Sequence, residues 1–225
     1  MRPLDRRTVT GGLDGDGFRL AHRVRPFPGE IRSGDQAFAR PCTGGVVVAL
    51  IDAVGHGTQA SATALRVVAL LGAHLDRQAD ADLPNLLGAL HTEMVGDRGA
   101  SLTLARYHAA TGDLALVAVG NTVARIVGPT RSHSFLSRDG NLGHILPQPR
   151  LERGRLAPGE SLLLYSDGVR SQFDLATLPG RHGSPPDRLC ALIIQAYGKA
   201  HDDAGILVLR REREVSDAAP YAPPA

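Results

Sequence analysis

Residues 45–57 read Gly45-Val46-Val47-Val48-Ala49-Leu50-Ile51-Asp52-Ala53-Val54-Gly55-His56-Gly57, and this stretch decides the fold. The run from Gly45 to Ala53 is nearly continuous apolar sequence, rich in β-branched residues. It shows no alternation, so it predicts a strand buried on both faces. The strand carries a carboxylate near its end, Asp52. A loop with two glycines around His56 follows. Beyond it Ala60, Ala64, Val67, Val68, Leu71 and Leu75 recur at helical spacing, which predicts a helix of about four turns starting near Thr58.

The rest of the chain extends this unit in both directions. Upstream, Phe18, Leu20, His22 and Val24 alternate with polar or small residues, the pattern of a half-buried strand. Downstream, Leu83, Leu86, Leu87, Leu90 and Met94 mark a second helix, with Pro84 in its first turn. Ala100–Tyr107 and Leu114–Val119 flank the turn Ala110-Thr111-Gly112-Asp113, a hairpin signal. Further strands are predicted at Thr122–Val127, Ser161–Tyr165 and Gly205–Leu209, with a helix over Arg188–Tyr197 before the last. Runs of strands with a helical hairpin inserted imply an α+β fold, not the strict alternation of a doubly wound parallel sheet. Two antiparallel sheets packed face to face, with helices outside, satisfy this order. Residues 18–210 are read as one domain, residues 1–17 as a flexible N-terminal segment and residues 211–225 as a disordered, Ala/Pro-rich tail.

Bulk composition narrows the function. The chain has 225 residues, 43% hydrophobic and 21% charged, which suits one well-cored globular domain. Its formal charge of +2 offers no concentrated basic face for nucleic acid. No apolar run reaches membrane-span length, and the N-terminus lacks a signal-peptide pattern. Two cysteines, Cys42 and Cys190, form no bridging framework and fit a reducing compartment. The cytoplasm is the expected location.

Acidic residues supply the chemistry. Asp35 in Ser33-Gly34-Asp35, Asp52, Asp167 in Ser166-Asp167-Gly168, and the pair Asp202-Asp203 all fall at strand ends or in turns beside them. Three of these positions have glycine close by, which lets backbone turn sharply near a ligand. Each piece alone reads as an ordinary turn or solvated loop. Together, in this order, they predict a cluster of carboxylates, which repel each other unless cations sit among them. Hard divalent ions prefer such oxygen donors. An open cage of this kind suits metal-assisted hydrolysis.

In these motifs the chain resembles the metal-dependent protein phosphatases (the PPM or type-2C family) and their bacterial SpoIIE-like branch. The matching pieces are Ser33-Gly34-Asp35, Val47–Gly57, Gly99–Leu104, Val119-Gly120-Asn121, Leu163–Val169 and Asp202-Asp203-Ala204, spread over Phe18–Arg210. Small size and the pieces Arg98-Gly99-Ala100 and Val119-Gly120-Asn121 resemble the stressosome phosphatases of that branch most. The resemblance implies a β-sandwich with helices on both outer faces, four layers in all. It implies two divalent ions, Mn2+ or Mg2+, and hydrolysis of phosphoserine or phosphothreonine on a protein. Asp52 would bridge both ions and Ala53 would offer its carbonyl to one. Asp167 and Asp202 would bind the second ion, and Asp35 would hold an ion through water. His56 would protonate the leaving alcohol. The implied partner is a phosphorylated STAS-domain protein of a stressosome or anti-sigma switch.

Two departures stand out: Val54, where the family has a small or polar residue, and Ala204-Gly205, where a β-branched residue and Thr are usual. The family's phosphate-binding arginine has no secure counterpart, although Arg32 and Arg40 lie near. Two other readings are open. An aspartyl-phosphate hydrolase of the haloacid dehalogenase type needs a second Asp two residues after the first and an essential Lys. Here that position is Val54, and Lys199 is the sole lysine. A degenerate phosphatase fold that only binds a partner would have no need of four retained aspartates.

Overall fold

The computed structural model describes residues 8–173 and 184–213. Strands β1 (Val9–Gly15), β2 (Phe18–Arg25), β3 (Asp35–Cys42) and β4 (Gly45–Ala53) come first, then helices α1 (Gly57–Arg77) and α2 (Leu83–Glu93). Strands β5 (Ala100–His108), β6 (Asp113–Val119), β7 (Val123–Val127), β8 (Ser132–Ser134), β9 (Glu152–Arg155) and β10 (Ser161–Tyr165) follow. Helix α3 (Pro186–Tyr197) and strand β11 (Ala204–Arg211) complete the order. Every named strand pairing is antiparallel, in two sheets ordered β1-β2-β11-β10-β7-β8 and β3-β4-β5-β6-β9.

The sheets stack face to face, and the β4 sequence shows why its pattern is unbroken. Val46, Val48 and Leu50 point into the layer between the sheets, beside Leu20, Leu116, Leu164 and Leu207. Val47, Ala49, Ile51 and Ala53 point outward, beneath Ala60, Ala64, Val67 and Leu71 of α1 and Leu87 and Leu90 of α2. A third apolar layer joins the outer face of the six-stranded sheet to α3 through Leu163, Ile206, Val208, Leu189 and Ile193. Three cores between four layers give the expected αββα sandwich. Burial on both faces removes the alternation that a one-sided strand would show.

Four strands escaped the sequence pattern. β1 is almost wholly exposed and, among the described residues, pairs only with β2, so it has no apolar face to signal it. It lies within residues 1–17, which the sequence leaves outside the domain. β3 is half-buried along most of its length and ends in Pro41-Cys42. β8 and β9 are three and four residues long. The predicted tail begins at Arg211, yet β11 runs through Arg211; residues 214–225 lie outside the described residues. Among the described residues no helix is long and apolar enough to cross a membrane.

Candidate functional site

The register of the inner strands fixes one end of the sandwich. Asp52 sits two residues beyond Leu50 on β4, so its side chain faces the inter-sheet side. Asp35 is its cross-strand partner on β3. On the facing sheet, Asp167 follows the end of β10, and Asp202 and Asp203 precede β11. All five aspartates therefore collect at one end of the molecule, two from one sheet and three from the other. Their charges are felt mutually: Asp52 raises Asp35, and Asp167, Asp202 and Asp203 all raise Asp52.

Asp35 is the deepest, at 1% exposure. One of its oxygens accepts a hydrogen bond from Ser166 Oγ at 2.6 Å, and Ser166 Oγ accepts from the Gly205 N–H at 2.9 Å. This chain of bonds crosses from one sheet to the other. It also explains Gly205: a Cβ there would stand 3.0 Å from Asp35 Oδ2 and 3.2 Å from its Cβ. The Ala-Gly departure thus makes room for the buried carboxylate. Gly168 is equally constrained, since a Cβ would overlap the Asp203 carbonyl oxygen at 1.6 Å.

Burial, then the charge of Asp52, pushes the Asp35 carboxyl well above the usual carboxylate range. Burial, then the charge of Asp167, pushes Asp52 up to about 7. Asp202 is raised by burial and Asp167, with Lys199 opposing. Lys199 Nζ lies 3.9 Å from Asp202 Oδ2 and is the single cation in a salt bridge with these carboxylates among the described residues. Such mutual repulsion is what a divalent cation relieves.

Asp203, seen in the sequence only as the neighbour of Asp202, has a defined job. Its two oxygens accept backbone N–H bonds from Phe27 (2.6 Å) and Gly34 (2.8 Å). It clasps both ends of the loop that precedes Asp35. Asn121, quoted in the sequence only as part of a motif, donates from Nδ2 to Asp167 Oδ2 at 2.7 Å. Ser166 and Asn121 are the contributors the sequence reading missed; a polar side chain next to a strand-end Gly or Asp was the available signal.

His56 forms the N-cap position of α1 at the same end, and its side chain is about half exposed. Its Nδ1 lies 3.1 Å from Glu30 Oε1, and its ring stacks on Phe27 at 4.3 Å and 14°. The loop before it is held by Arg98, which donates to the Val54 carbonyl at 3.2 Å and to Gln59 at 2.6 Å. The Val54 N–H donates to the Gly99 carbonyl, and the Ala53 N–H to the Gly34 carbonyl. Val54 itself points outward, which accounts for the tolerance of a larger side chain there.

Of the arginines, Arg40 is tied to Asp76 and the Gly72 carbonyl on α1. Arg131 grips Glu160 at the far end of the sandwich. Arg150 pairs with Glu152 at 2.7 Å. Arg32 and Arg138 are exposed. Residues 174–183 lie outside the described residues.

The family model for Stage II sporulation protein E (SpoIIE) matches residues 43–212, most of the chain. Among solved structures, a chain from work on the bacterial stressosome, described as a modular system adapted to control secondary messenger signalling, shares 27% identity at a TM-score of 0.78. That match covers 86% of this chain and 99% of the other. RsbX in complex with magnesium shares 15% identity at a TM-score of 0.75, covering 89% and 98%. The PP2C phosphatase domain of SpoIIE from Bacillus subtilis, with a fragment of its regulatory domain, shares 16% at 0.71, covering 92% and 72%. The last two likenesses establish fold. No curated protein matches the chain significantly in sequence.

Proposed function

The chain belongs to the SpoIIE family and has a PP2C-type phosphatase fold, and from that premise we propose that it is a metal-dependent protein serine/threonine phosphatase. The observation that carries this reading is the convergence of five carboxylates from both sheets with one lysine among them.

The residues fit hard divalent ions by donor chemistry. Among the described residues no three side chains close tightly enough to hold an ion by themselves. The donors are all oxygens, and Mg2+ or Mn2+ bound by one or two carboxylates keeps several waters. When bound, two such ions supply neutralisation of the phosphoryl oxygens and acidification of an attacking water. Asp52, reached by the fields of Asp167 and Asp202, would be shared by both ions, and the Ala53 carbonyl would serve one of them. Asp167, oriented by Asn121, and Asp202 would hold the second. Asp35, buried and bonded to Ser166, would support an ion through water. His56, at the exposed lip, would give a proton to the departing alcohol.

Protein rather than small-molecule phosphate is supported by the rim. Of seven large hydrophobic side chains exposed among the described residues, five are Ile31, Val54, Val95, Leu136 and Ile145. They lie on loops that converge on this end. Ile31 neighbours Glu30. Val54 and Val95 flank the Arg98 loop. Leu136 precedes Ser137, which donates to the Gly120 carbonyl at 2.6 Å, and the Ile145 carbonyl accepts from the Asn141 N–H. Exposed large apolar residues on loops around a site favour a protein partner over a small phosphoester. The partner we propose is a phosphorylated STAS-domain protein of a stressosome-like or anti-sigma switch.

The test incubates the chain with manganese and such proteins, phosphorylated by their own kinase, and follows phosphate loss by mass spectrometry. Loss that a chelator abolishes and manganese restores is expected. Undiminished turnover after exhaustive chelation would refute metal dependence. Turnover of small phosphomonoesters with the STAS proteins left phosphorylated would refute the partner alone.

A further inference from the structure

Two residues of one loop, Glu30 and Phe27, touch the His56 ring. We propose that Glu30 and Phe27 form a clamp that sets the orientation and the proton-bearing nitrogen of His56. The inference deepens the phosphatase reading above and rests on it for its kinetic arm.

Three separate observations converge. The Glu30 carboxylate meets Nδ1 at 3.1 Å, so that nitrogen carries hydrogen toward Glu30 and Nε2 is left to face solvent and substrate. Phe27 covers one ring face in near-parallel stacking at 4.3 Å, which resists tilting of the imidazole out of that plane. Gly57 completes the seat: its φ is +76°, and a Cβ there would lie 2.8 Å from the Glu30 carboxyl carbon. Glycine is required both by the backbone angle and by the approach of Glu30.

The clamp is not loose, because its loop is anchored. Asp203 accepts the N–H groups of Phe27 and Gly34, holding the segment that carries Phe27 and Glu30 at both ends. The Glu30 N–H donates to the Phe27 carbonyl at 3.0 Å, closing a turn between the two clamp residues. The acid cluster and the imidazole are thereby connected through one aspartate that sits among the other carboxylates without needing to bind an ion.

In the reaction this matters at the leaving group. The P–O bond to the seryl or threonyl oxygen breaks with its electron pair on that oxygen, which takes the Nε2 proton of the doubly protonated ring and leaves the neutral ring with its hydrogen on Nδ1 toward Glu30. A water oxygen forms the new bond to phosphorus and releases one proton, and the imidazole regains a proton from solvent. Phosphate and free alcohol leave, and the charges balance. Glu30 touches neither substrate nor reacting atoms, so it is a positioning residue.

The experiment compares full-length wild type, Glu30→Ala, Glu30→Gln, His56→Ala and the double variant Glu30→Ala/His56→Ala. Two substrates are used with manganese: a phosphoserine peptide, whose alcohol needs a proton to leave, and para-nitrophenyl phosphate, whose phenolate needs one much less. Glu30→Ala is expected to lower the ratio of peptide to aryl kcat roughly tenfold, with KM little changed, and His56→Ala to lower it further. The double variant should match His56→Ala alone, since an orienting residue has nothing left to orient. Glu30→Gln should recover part of the ratio. Equal losses on both substrates, or losses that multiply in the double variant, overturn the clamp.

Imidazole nitrogen NMR of His56 supplies the arm that does not depend on turnover. Wild type is expected to show hydrogen on Nδ1 in the neutral ring, and Glu30→Ala to shift toward the Nε2 form. A wild-type ring protonated at Nε2 alone overturns the proposal. If wild type hydrolyses neither substrate while the NMR result holds, the phosphatase reading fails and the clamp stands.

Discussion

The two ends of the sandwich treat buried carboxylates in opposite ways. At the end where β10 starts, Glu160 is matched by the Arg131 fork at 2.6 and 2.5 Å, and that hydrogen bonding holds its carboxyl below the usual range. Arg155 faces Asp113 across the same end, and Arg211 donates to the Thr111 and Leu156 carbonyls. At the end where β10 finishes, Asp35 and Asp52 are both driven upward by burial and by other aspartates. The same strands pass through both ends, so the difference does not come from the fold. One end matches its carboxylates with arginines of the same chain. The other leaves its charge to be completed from outside, which marks a site.

The comparison breaks most visibly through single substitutions. Asp52→Asn should lower turnover of a phosphoserine peptide about a hundredfold or more, as for loss of a shared ion ligand. Arg131→Ala at the far end should leave that turnover within about twofold. Comparable losses from both would dissolve the distinction.

Asp35→Asn separates function from stability at one position. It should lower turnover roughly tenfold, as removal of a support behind the ligands does. In metal-free protein it should raise Tm by a few degrees, because it removes one repelling buried charge while keeping a partner for Ser166. A lowered Tm would mean that the aspartate stabilises the fold after all.

Arg131→Ala should lose about 1–2 kcal/mol in urea denaturation, since it strips a two-pronged charged bond from the largely buried Glu160 and Arg131 itself is half exposed. No measurable loss would show that water replaces the guanidinium freely.

The smallest effect is in pH. Asp52 is raised from 3.8 to about 7 in the folded chain. A carboxyl raised on folding contributes stability that is full below its unfolded pKa and is lost as pH climbs toward the folded value. Metal-free protein should therefore weaken between about pH 4 and pH 7. The increase in Tm on adding manganese should be larger at pH 8 than at pH 5.5, by a few degrees. Calorimetry at the two pH values measures it, and a larger increase at pH 5.5 would contradict the assigned direction.

These contrasts were unevenly legible in the sequence. Strands with two buried faces, β4 and β10, wrote themselves as unbroken apolar runs, and α1 as a regular stripe. Asp35, Asp52, Asp167 and Asp202 were each visible as a carboxylate at a strand end, and the structure gathers them at one end. What stayed hidden was pairing at a distance. Nothing in Gly29-Glu30-Ile31 announces an imidazole partner 26 positions on. Nothing in Asp202-Asp203 tells which carboxylate turns back to hold Phe27 and Gly34. Nothing around Arg131 announces Glu160, 29 positions on, as its partner. β1 and β3, with little or no fully buried face, gave no periodic signal at all.

The bond from Ser166 to Asp35 has a consequence in time as well as in space. It joins residues 131 positions apart, and the Asp203 bonds to Gly34 and Phe27 span 169 and 176. Contacts that close such long stretches of chain cost the most entropy and form late. Hairpins such as β5–β6 close locally and can precede them. The site is thus a keystone set after the two sheets have met: a chain emerging from synthesis gains its carboxylate cluster only when β11, the last of the described strands, is in place.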